Sequence, residues 1–231
     1  MGGCLVFEKF VTENECARLI ALVNEFRREH DVPIIDRPSG ELPLRYSVID
    51  GERIVECLPH VQRVYDSVSR LVQRLWHGVI EPLSDGKVAC NINITQPGGS
   101  YRYHYDRNAV TAILYLNETD GGETECYPNY RLALTRESNS PLQQKLDRLL
   151  QSRVLRSAAN QLLVQPRAGR LLIMQGNRCL HSVRPVRGQT ERINIIMSYD
   201  HPDAHFATAE DLNAYLYSPG ALSTSDPNYL T

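Results

Sequence analysis

Apolar residues along this chain follow two periods, and the change comes near residue 87. Before it the spacing is helical. Thr12 followed by Glu15 has the form of a capping box. Cys16, Leu19, Ile20, Val23 and Phe26 then recur every three or four positions, which predicts a helix over roughly 13–30. Pro33, Pro38, Gly40, Pro43 and Gly51 punctuate residues 32–51 and predict an irregular connector. A second helix is expected near Pro59, a residue tolerated in a first helical turn, with Val61, Val64, Val68, Leu71 and Leu75 as its buried stripe.

From residue 87 the period is two. Asn91, Asn93 and Thr95 fall on one face of a strand over 88–95, and Ile92 and Ile94 on the other. Pro97-Gly98-Gly99 turns the chain into a strand carrying His104, and residues 109–117 form the next strand. Asp120-Gly121-Gly122 turns into residues 123–126, and residues 169–174 and 192–199 are expected as the last two core strands. Helices followed by a run of strands predict a mostly β fold with flanking helices, a barrel-like double sheet carrying the N-terminal helices on one outer face.

Residues of about 127–168 form an insertion in that run. Its centre, from Ser140-Pro141 to about Ala158, carries a cap (Ser140 with Gln143) and an apolar stripe of Leu142, Leu146, Leu149, Leu150 and Val154. Lys145, Arg148, Arg153 and Arg156 lie opposite. Insertions of this length are often functional. One reading is a lid whose arginines meet a substrate carboxylate; the other is a helix packed on the barrel with a solvated basic face. Thr208 then caps a short helix with Leu212, Tyr215 and Leu216 before a loose tail. The expected organisation is a single domain, with helical support over 1–86, the core over 87–199 and a C-terminal helix and tail over 200–231.

Composition narrows the partners. A chain of 231 residues has room for a substantial core, and its net charge of −2 gives no electrostatic reason to expect a nucleic acid. No apolar run approaches the ~20 residues that span a bilayer, so no membrane is expected. The start, Met-Gly-Gly-Cys-Leu-Val, lacks a signal core, and Val6 stands where myristoylation wants Ser or Thr. The six cysteines are scattered without a C-x-x-C pair, which suits reduced thiols and a cytoplasmic setting.

The chemistry is concentrated at His104-Tyr105-Asp106. His-x-Asp on a strand places both side chains on one face, and His181 from a distant strand would complete two imidazoles and one carboxylate around a metal. That facial set leaves coordination positions open and suits non-haem Fe(II). Arg192 offers a guanidinium fork for a carboxylate. A second match, His201-Pro202-Asp203, is set aside, because Pro202 interrupts strand pairing; His201 and His205 are expected as loop residues. Thr124, Asn91 and Asn93 are expected to face the same cavity, since polar groups inside a barrel are costly unless they meet something.

Around this set the chain resembles the 2-oxoglutarate- and Fe(II)-dependent oxygenases, especially the branch that contains the prolyl hydroxylases. The resemblance rests on Tyr101-Arg102-Tyr103-His104-Tyr105-Asp106 after a Gly-Gly turn, on Tyr115-Leu116-Asn117 before Gly121-Gly122, on Gly169 to Ile173, and on His181-Ser182-Val183-Arg184-Pro185-Val186 running to Arg192. It covers about residues 88–199. Two features depart from the family pattern: Thr95 stands where a tyrosine is common, and Arg192 lies farther from His181 than the usual basic residue. Arg187 is the rival, but it sits in a loop, whereas Arg192 begins a strand whose inward face continues with Asn194, Ile196 and Ser198.

The resemblance implies a double-stranded β-helix, the jelly-roll or cupin-like barrel. It implies Fe(II) on His104, Asp106 and His181, with 2-oxoglutarate and O2 as cosubstrates. Arg192 would hold the far carboxylate of 2-oxoglutarate, with Tyr115, Thr95, Tyr101, Asn93 and Thr124 around it; Arg184 and Arg102 are candidates for substrate contact. The expected activity is hydroxylation of an unactivated C–H bond of a small molecule, such as an amino acid or natural-product intermediate, with release of succinate and CO2. Hydroxylation of a protein side chain is the alternative within enzymes, and a non-catalytic metal-binding jelly roll is the alternative outside them.

Overall fold

A computed structural model describes residues 3–37, 43–132, 140–202 and 217. In chain order the elements are β1 (Cys4–Phe7), α1 (Glu13–Glu29), β2 (Ile35–Arg37), β3 (Leu44–Ile49), α2 (Gly51–Cys57), α3 (Pro59–Leu75), β4 (Glu81–Pro82), α4 (Gly86–Ala89), β5 (Cys90–Thr95), β6 (Tyr101–His104) and β7 (Val110–Tyr115). They continue with β8 (Asp120–Gly121), β9 (Thr124–Tyr127), α5 (Pro141–Leu150), α6 (Arg153–Ser157), β10 (Leu162–Val164), β11 (Leu171–Met174), β12 (Leu180–Val183), β13 (Val186–Arg187) and β14 (Arg192–Asp200).

The large sheet runs β1-β11-β7-β14-β5-β3-β2, with β4 joined to the end of β14, and the small sheet runs β10-β9-β12-β6. The strands pair antiparallel throughout. The two sheets are the halves of a double-stranded β-helix, the mostly β fold expected from the alternating pattern.

Alternation on the large sheet divides the molecule. One face presents Ile92 and Ile94 of β5, Leu114 of β7, Ile173 of β11 and Ile195 of β14; these pack with Leu19 and Val23 of α1 and Val61 and Val68 of α3. Each such fully buried aliphatic side chain contributes roughly 1.5–3 kcal/mol. The other face carries Asn91, Asn93, Arg192, Asn194 and Ser198 into a cavity between the sheets. The side chain of Thr12 accepts a hydrogen bond from the Glu15 N–H and starts α1 where the capping box predicts.

Several expectations need correction. Residues 32–51 are not wholly irregular: they carry β2 and β3, and β3 pairs with β5 from Tyr46 opposite Thr95 to Ile49 opposite Ile92. Pro33 and Pro43 stand just before these short strands rather than marking a lack of structure. Asp50 caps an unpredicted helix, α2, by accepting from the Arg53 N–H. In α3 the buried stripe is Val61, Val64, Val68 and Val72, while Leu71 and Leu75 are only partly covered. The strand expected to bring in His181 is β12, which lies between β11 and β14 in the chain. The expected helix at Thr208–Leu216 lies outside the described residues, as do His205, Pro38 and Gly40.

The insertion departs most from its pattern. Ser140 caps α5 by accepting from the Gln143 N–H, but the helix buries Gln143, Asp147 and Leu150, leaving Leu142 and Leu149 exposed. Val154 of α6 is 79% exposed. The buried face is polar because it has a partner. Arg131 Nη2 donates to Asp147 Oδ2 at 2.6 Å, and Gln143 Nε2 donates to Asp147 Oδ1 at 2.8 Å. Charge-assisted hydrogen bonds of this kind, worth roughly 1.5–3 kcal/mol each, hold this face inward. α6 rests against the outer face of the small sheet, with the Arg156 guanidinium 3.7 Å from the centre of the Tyr103 ring and within 3.7 Å of Glu125. None of the described residues of the insertion lines the cavity. Arg156 faces protein rather than the cavity.

Asp147→Ala should destabilise the fold by roughly 3 kcal/mol, because it leaves a largely buried guanidinium without its carboxylate. Leu142→Gln, at a position 61% exposed, should shift stability by no more than about 0.5 kcal/mol. Denaturant midpoints of the two variants check the ranking; equal effects would mean that α5 docks through its leucines.

Candidate metal centre

The two candidate imidazoles come from paired strands. His104 ends β6 and lies opposite His181 of β12, while Val183 lies opposite Tyr101. Two steps along β12 thus match three along β6, which is a bulge. The extra residue lets Tyr101 and His104 both face the cavity, while Tyr103 turns outward and its hydroxyl donates to Glu125. Asp106 lies just past the end of β6, so its place beside His104 comes from a turn rather than from the strand alternation expected. The Asp106 N–H donates to the Gly176 carbonyl at 3.0 Å. A Cβ at Gly176 would lie 2.7 Å from Thr111 Oγ1 and 2.8 Å from Asp106 Cβ, so the turn has room only for glycine there.

The three side chains converge. His104 Nε2 and His181 Nε2 lie 3.7 Å and 3.4 Å from Asp106 Oδ1, and the three donor atoms all fall within 4.8 Å of one another. His104 Nδ1 contacts the Arg102 carbonyl at 2.8 Å and His181 Nδ1 the Cys179 carbonyl at 3.0 Å. A carbonyl can only accept, so each Nδ1 carries the proton and each Nε2 presents its lone pair to the point between them. The Thr111 hydroxyl donates to Asp106 Oδ2. Burial alone would raise the Asp106 carboxyl, but when His181 is protonated its charge and hydrogen bond, with His104 and Thr111 behind them, hold the carboxyl below the usual range. With the imidazoles neutral, both Nε2 lone pairs are free to bind an ion. Two neutral nitrogens and an ionised carboxylate on one side fit a divalent transition metal that keeps open positions.

Arg192 begins β14 opposite Thr95, in the wall of the same cavity, and is 2% exposed. Its Nη2 donates to Thr124 Oγ1 at 3.0 Å and its Nη1 to Asn194 Oδ1. The guanidinium carbon stands 5.1 Å from the centre of the Tyr115 ring. Gly122, at φ +70°, makes way for it: a Cβ there would sit 2.9 Å from Arg192 Cδ. Among the described residues no carboxylate forms an ion pair with Arg192, and its Nε, like Asn194 Nδ2 beside it, is buried without a hydrogen-bond partner. Burial lowers the guanidinium from its ordinary value, yet arginine stays charged in proteins. Buried, cationic and unneutralised, the group fits an anionic ligand.

The other predicted positions divide. Tyr101, Asn93 and Thr124 line the cavity. Thr95 and Tyr115 stand behind the wall: Thr95 Oγ1 donates to Asn93 Oδ1 at 3.1 Å, and the Tyr115 hydroxyl meets Thr124 Oγ1 at 2.6 Å. Arg187 is on the surface with its Nη2 2.9 Å from Asp120. Arg184 binds Glu125 at 2.9 Å, and neither it nor Arg102 is among the residues that line the cavity. His201 is exposed beside Trp76. Sequence patterns missed Tyr46 and Val48, which reach the cavity from β3, and Tyr217. The alternation Tyr46, Val48 was legible, but the surrounding prolines masked it.

Residues 88–199 match the family model described as the 2OG-Fe(II) oxygenase superfamily. No curated protein sequence matches the chain. Among solved structures, a prolyl-4-hydroxylase from Pseudomonas putida is similar at 18% identity and TM-score 0.56, over 87% of this chain and 94% of that one. The non-heme alpha ketoglutarate dependent carbocyclase SnoK from nogalamycin biosynthesis is similar at 16% identity and TM-score 0.69, over 98% and 90%. HygX from Streptomyces hygroscopicus, solved with nickel and 2-oxoglutarate bound, is similar at 13% identity and TM-score 0.55, over 87% and 84%. At these identities the likeness is one of fold. The matched segment runs from Val88 at the start of the cavity wall to Tyr199 of β14, and this segment, which carries the triad and Arg192, belongs to the 2OG-Fe(II) oxygenase superfamily.

Proposed function

We propose that the chain is an Fe(II)- and 2-oxoglutarate-dependent hydroxylase of a small, largely neutral molecule. The observation that carries this reading is the buried Arg192, with its unpaired Nε and the neighbouring unpaired Asn194 Nδ2, in the same cavity as His104, Asp106 and His181. An isolated metal site has no use for a buried cation without a counter-ion. A dicarboxylate that reaches from the metal to the guanidinium supplies both the missing charge and the missing acceptor.

His104 Nε2, His181 Nε2 and the Asp106 carboxylate would hold the iron. Bound together, iron(II) and 2-oxoglutarate supply the oxidation of a substrate C–H bond with O2, releasing succinate and CO2. The protein's own contributions are positional. The Arg102 and Cys179 carbonyls fix both imidazole tautomers, Thr111 fixes the carboxylate, and Arg192, backed by Thr124 and the Tyr115 hydroxyl, orients the cosubstrate.

The small-molecule reading rests on the outer part of the cavity. Tyr46, Val48, Leu83, Val88, Ile196 and Tyr217 give it an apolar wall, relieved by the neutral Asn91 and Ser198. Apart from the triad and Arg192, Arg107 supplies the one charged side chain among the described lining residues, and it is already engaged elsewhere. Such a wall favours a molecule with little charge of its own and disfavours a free amino acid, whose two charges would lose water without replacement.

The purified chain supplied with iron(II), 2-oxoglutarate and O2 should form succinate slowly even without substrate. Asp106→Ala should abolish both this turnover and tight iron binding while the circular dichroism spectrum is retained; succinate formation unchanged in Asp106→Ala would reject the triad. Arg192→Met keeps bulk but removes the fork. It should weaken 2-oxoglutarate by roughly 10- to 100-fold, the effect of losing ~1.5–3 kcal/mol of charged hydrogen bonding, whereas Arg187→Met should change it little. Binding titrations that rank the two variants the other way would move the anchor to Arg187.

A further inference from the structure

Three thiols converge next to His181, outside the cavity lining. Cys4 of β1, Cys126 of β9 and Cys179 just before β12 have Sγ atoms all within 4.8 Å of one another, and Cys4 and Cys179 are 3.7 Å apart. Cys126 and Cys179 are fully buried and Cys4 is half-buried. The apolar residues around them include Ile113, Val164, Leu172 and Met174.

We propose that Cys4, Cys126 and Cys179 form a second metal site, taking a thiophilic divalent cation of the zinc class. Bonds of about 2.3 Å from such an ion to sulfur place ligand sulfurs about 3.8 Å apart in a tetrahedral site and about 4.0 Å apart in a trigonal one. The thiols already stand near that spacing and need only small side-chain movements to close on one ion. They come from three distant stretches of chain, although a cysteine used merely as a small apolar filler has no reason to seek two others. The donors are all sulfur. That selects a soft ion here, while the nitrogen and oxygen donors of His104, Asp106 and His181 suit iron. Binding replaces three S–H protons with three metal–sulfur bonds, releases the protons to solvent, and leaves one net negative charge. Met174, opposite Cys4 in the β1–β11 register and in the same buried cluster, adds a neutral soft sulfur to the surroundings of the site.

The site would join parts of the fold that are otherwise separate. Cys4 belongs to the edge strand of the large sheet, while Cys126 and Cys179 belong to the small sheet and its approach, so one ion would clamp the two halves of the double sheet together. The Cys179 carbonyl accepts from His181 Nδ1, so the clamp would also steady one imidazole of the iron site.

Cadmium(II) is a suitable probe because its thiolate complexes absorb in the ultraviolet. The reduced full-length protein, stripped of metal, should bind one equivalent with such a band. The band should be unchanged in Asp106→Ala and in Cys57→Ser, whose cysteine is exposed. Cys126→Ser and Cys4→Ser should each weaken binding by roughly 100-fold, the share of one ligand in a structural site. Excess zinc(II) should compete with cadmium and raise the melting temperature of Asp106→Ala, in which the iron site is disabled, but not that of Asp106→Ala combined with Cys4→Ser or Cys126→Ser. Should Cys126→Ser fail to fold, Cys4→Ser on the edge strand carries the same comparison. No band, a band that needs a large excess of cadmium, one that survives both cluster substitutions, or one that disappears with Cys57→Ser would each overturn the site.

Discussion

The central position of β14 governs this structure. It pairs on one side with β5 over Arg192–Met197 and on the other with β7 over Asn194–Tyr199, so its register is held from both sides in its middle. A strand held this way cannot slip by one residue without exchanging its two faces. Ile193, Ile195, Met197 and Tyr199 therefore stay with the helices, and Arg192, Asn194, Ile196 and Ser198 stay with the cavity. The apolar face supplies the burial energy, and that energy is what forces a guanidinium to remain in an interior where it has no acidic partner among the described residues. The cation that makes the cavity chemically useful is thus kept in place by the leucines and valines on the opposite side of the sheet.

The metal centre uses the small sheet differently. Its strands are short, and β6 carries a bulge opposite β12, so alternation alone would not bring Tyr101 and His104 to the same face. Local hydrogen bonds compensate. Each imidazole is fixed through Nδ1 to a backbone carbonyl two residues before it, and Asp106 is fixed by the Gly176 carbonyl and the Thr111 hydroxyl. A long central strand and a set of short-range hydrogen bonds thereby meet across one cavity, the first placing charge and the second placing donor atoms.

The outer face of the small sheet shows how the insertion contributes. Tyr103 and Tyr127 both donate to Glu125 Oε1, Arg184 reaches Oε2, and Arg156 of α6 covers the tyrosine ring. Burial would raise the Glu125 carboxyl, yet these hydrogen bonds hold it below its ordinary range. The network ties β6, β9 and the approach to β13 together directly behind the residues that face the cavity. The insertion acts as a brace for the small sheet, and its buried polar contacts explain why its helices turn leucines to the outside.

Much of this was legible in the residue pattern alone. Period-two spacing from Cys90 to Thr95 and from Arg192 to Tyr199 identified which residues face inward, because a buried two-sided sheet translates sequence parity directly into side-chain direction. The capping box at Thr12 placed the start of α1, since that signal is a hydrogen bond between neighbours in sequence. The sequence also singled out His104, Asp106, His181 and Arg192 as one constellation. What only the tertiary structure decided involves partners distant in the chain. The bulge in β6 depends on β12, the inward face of α5 depends on the charge of Arg131, the strand character of residues 44–49 depends on β5, and the convergence of Cys4, Cys126 and Cys179 depends on the closure of both sheets. A periodic pattern records which residues prefer to avoid water, but a buried ion pair or a register shift is settled by the element that arrives opposite, which local spacing does not encode.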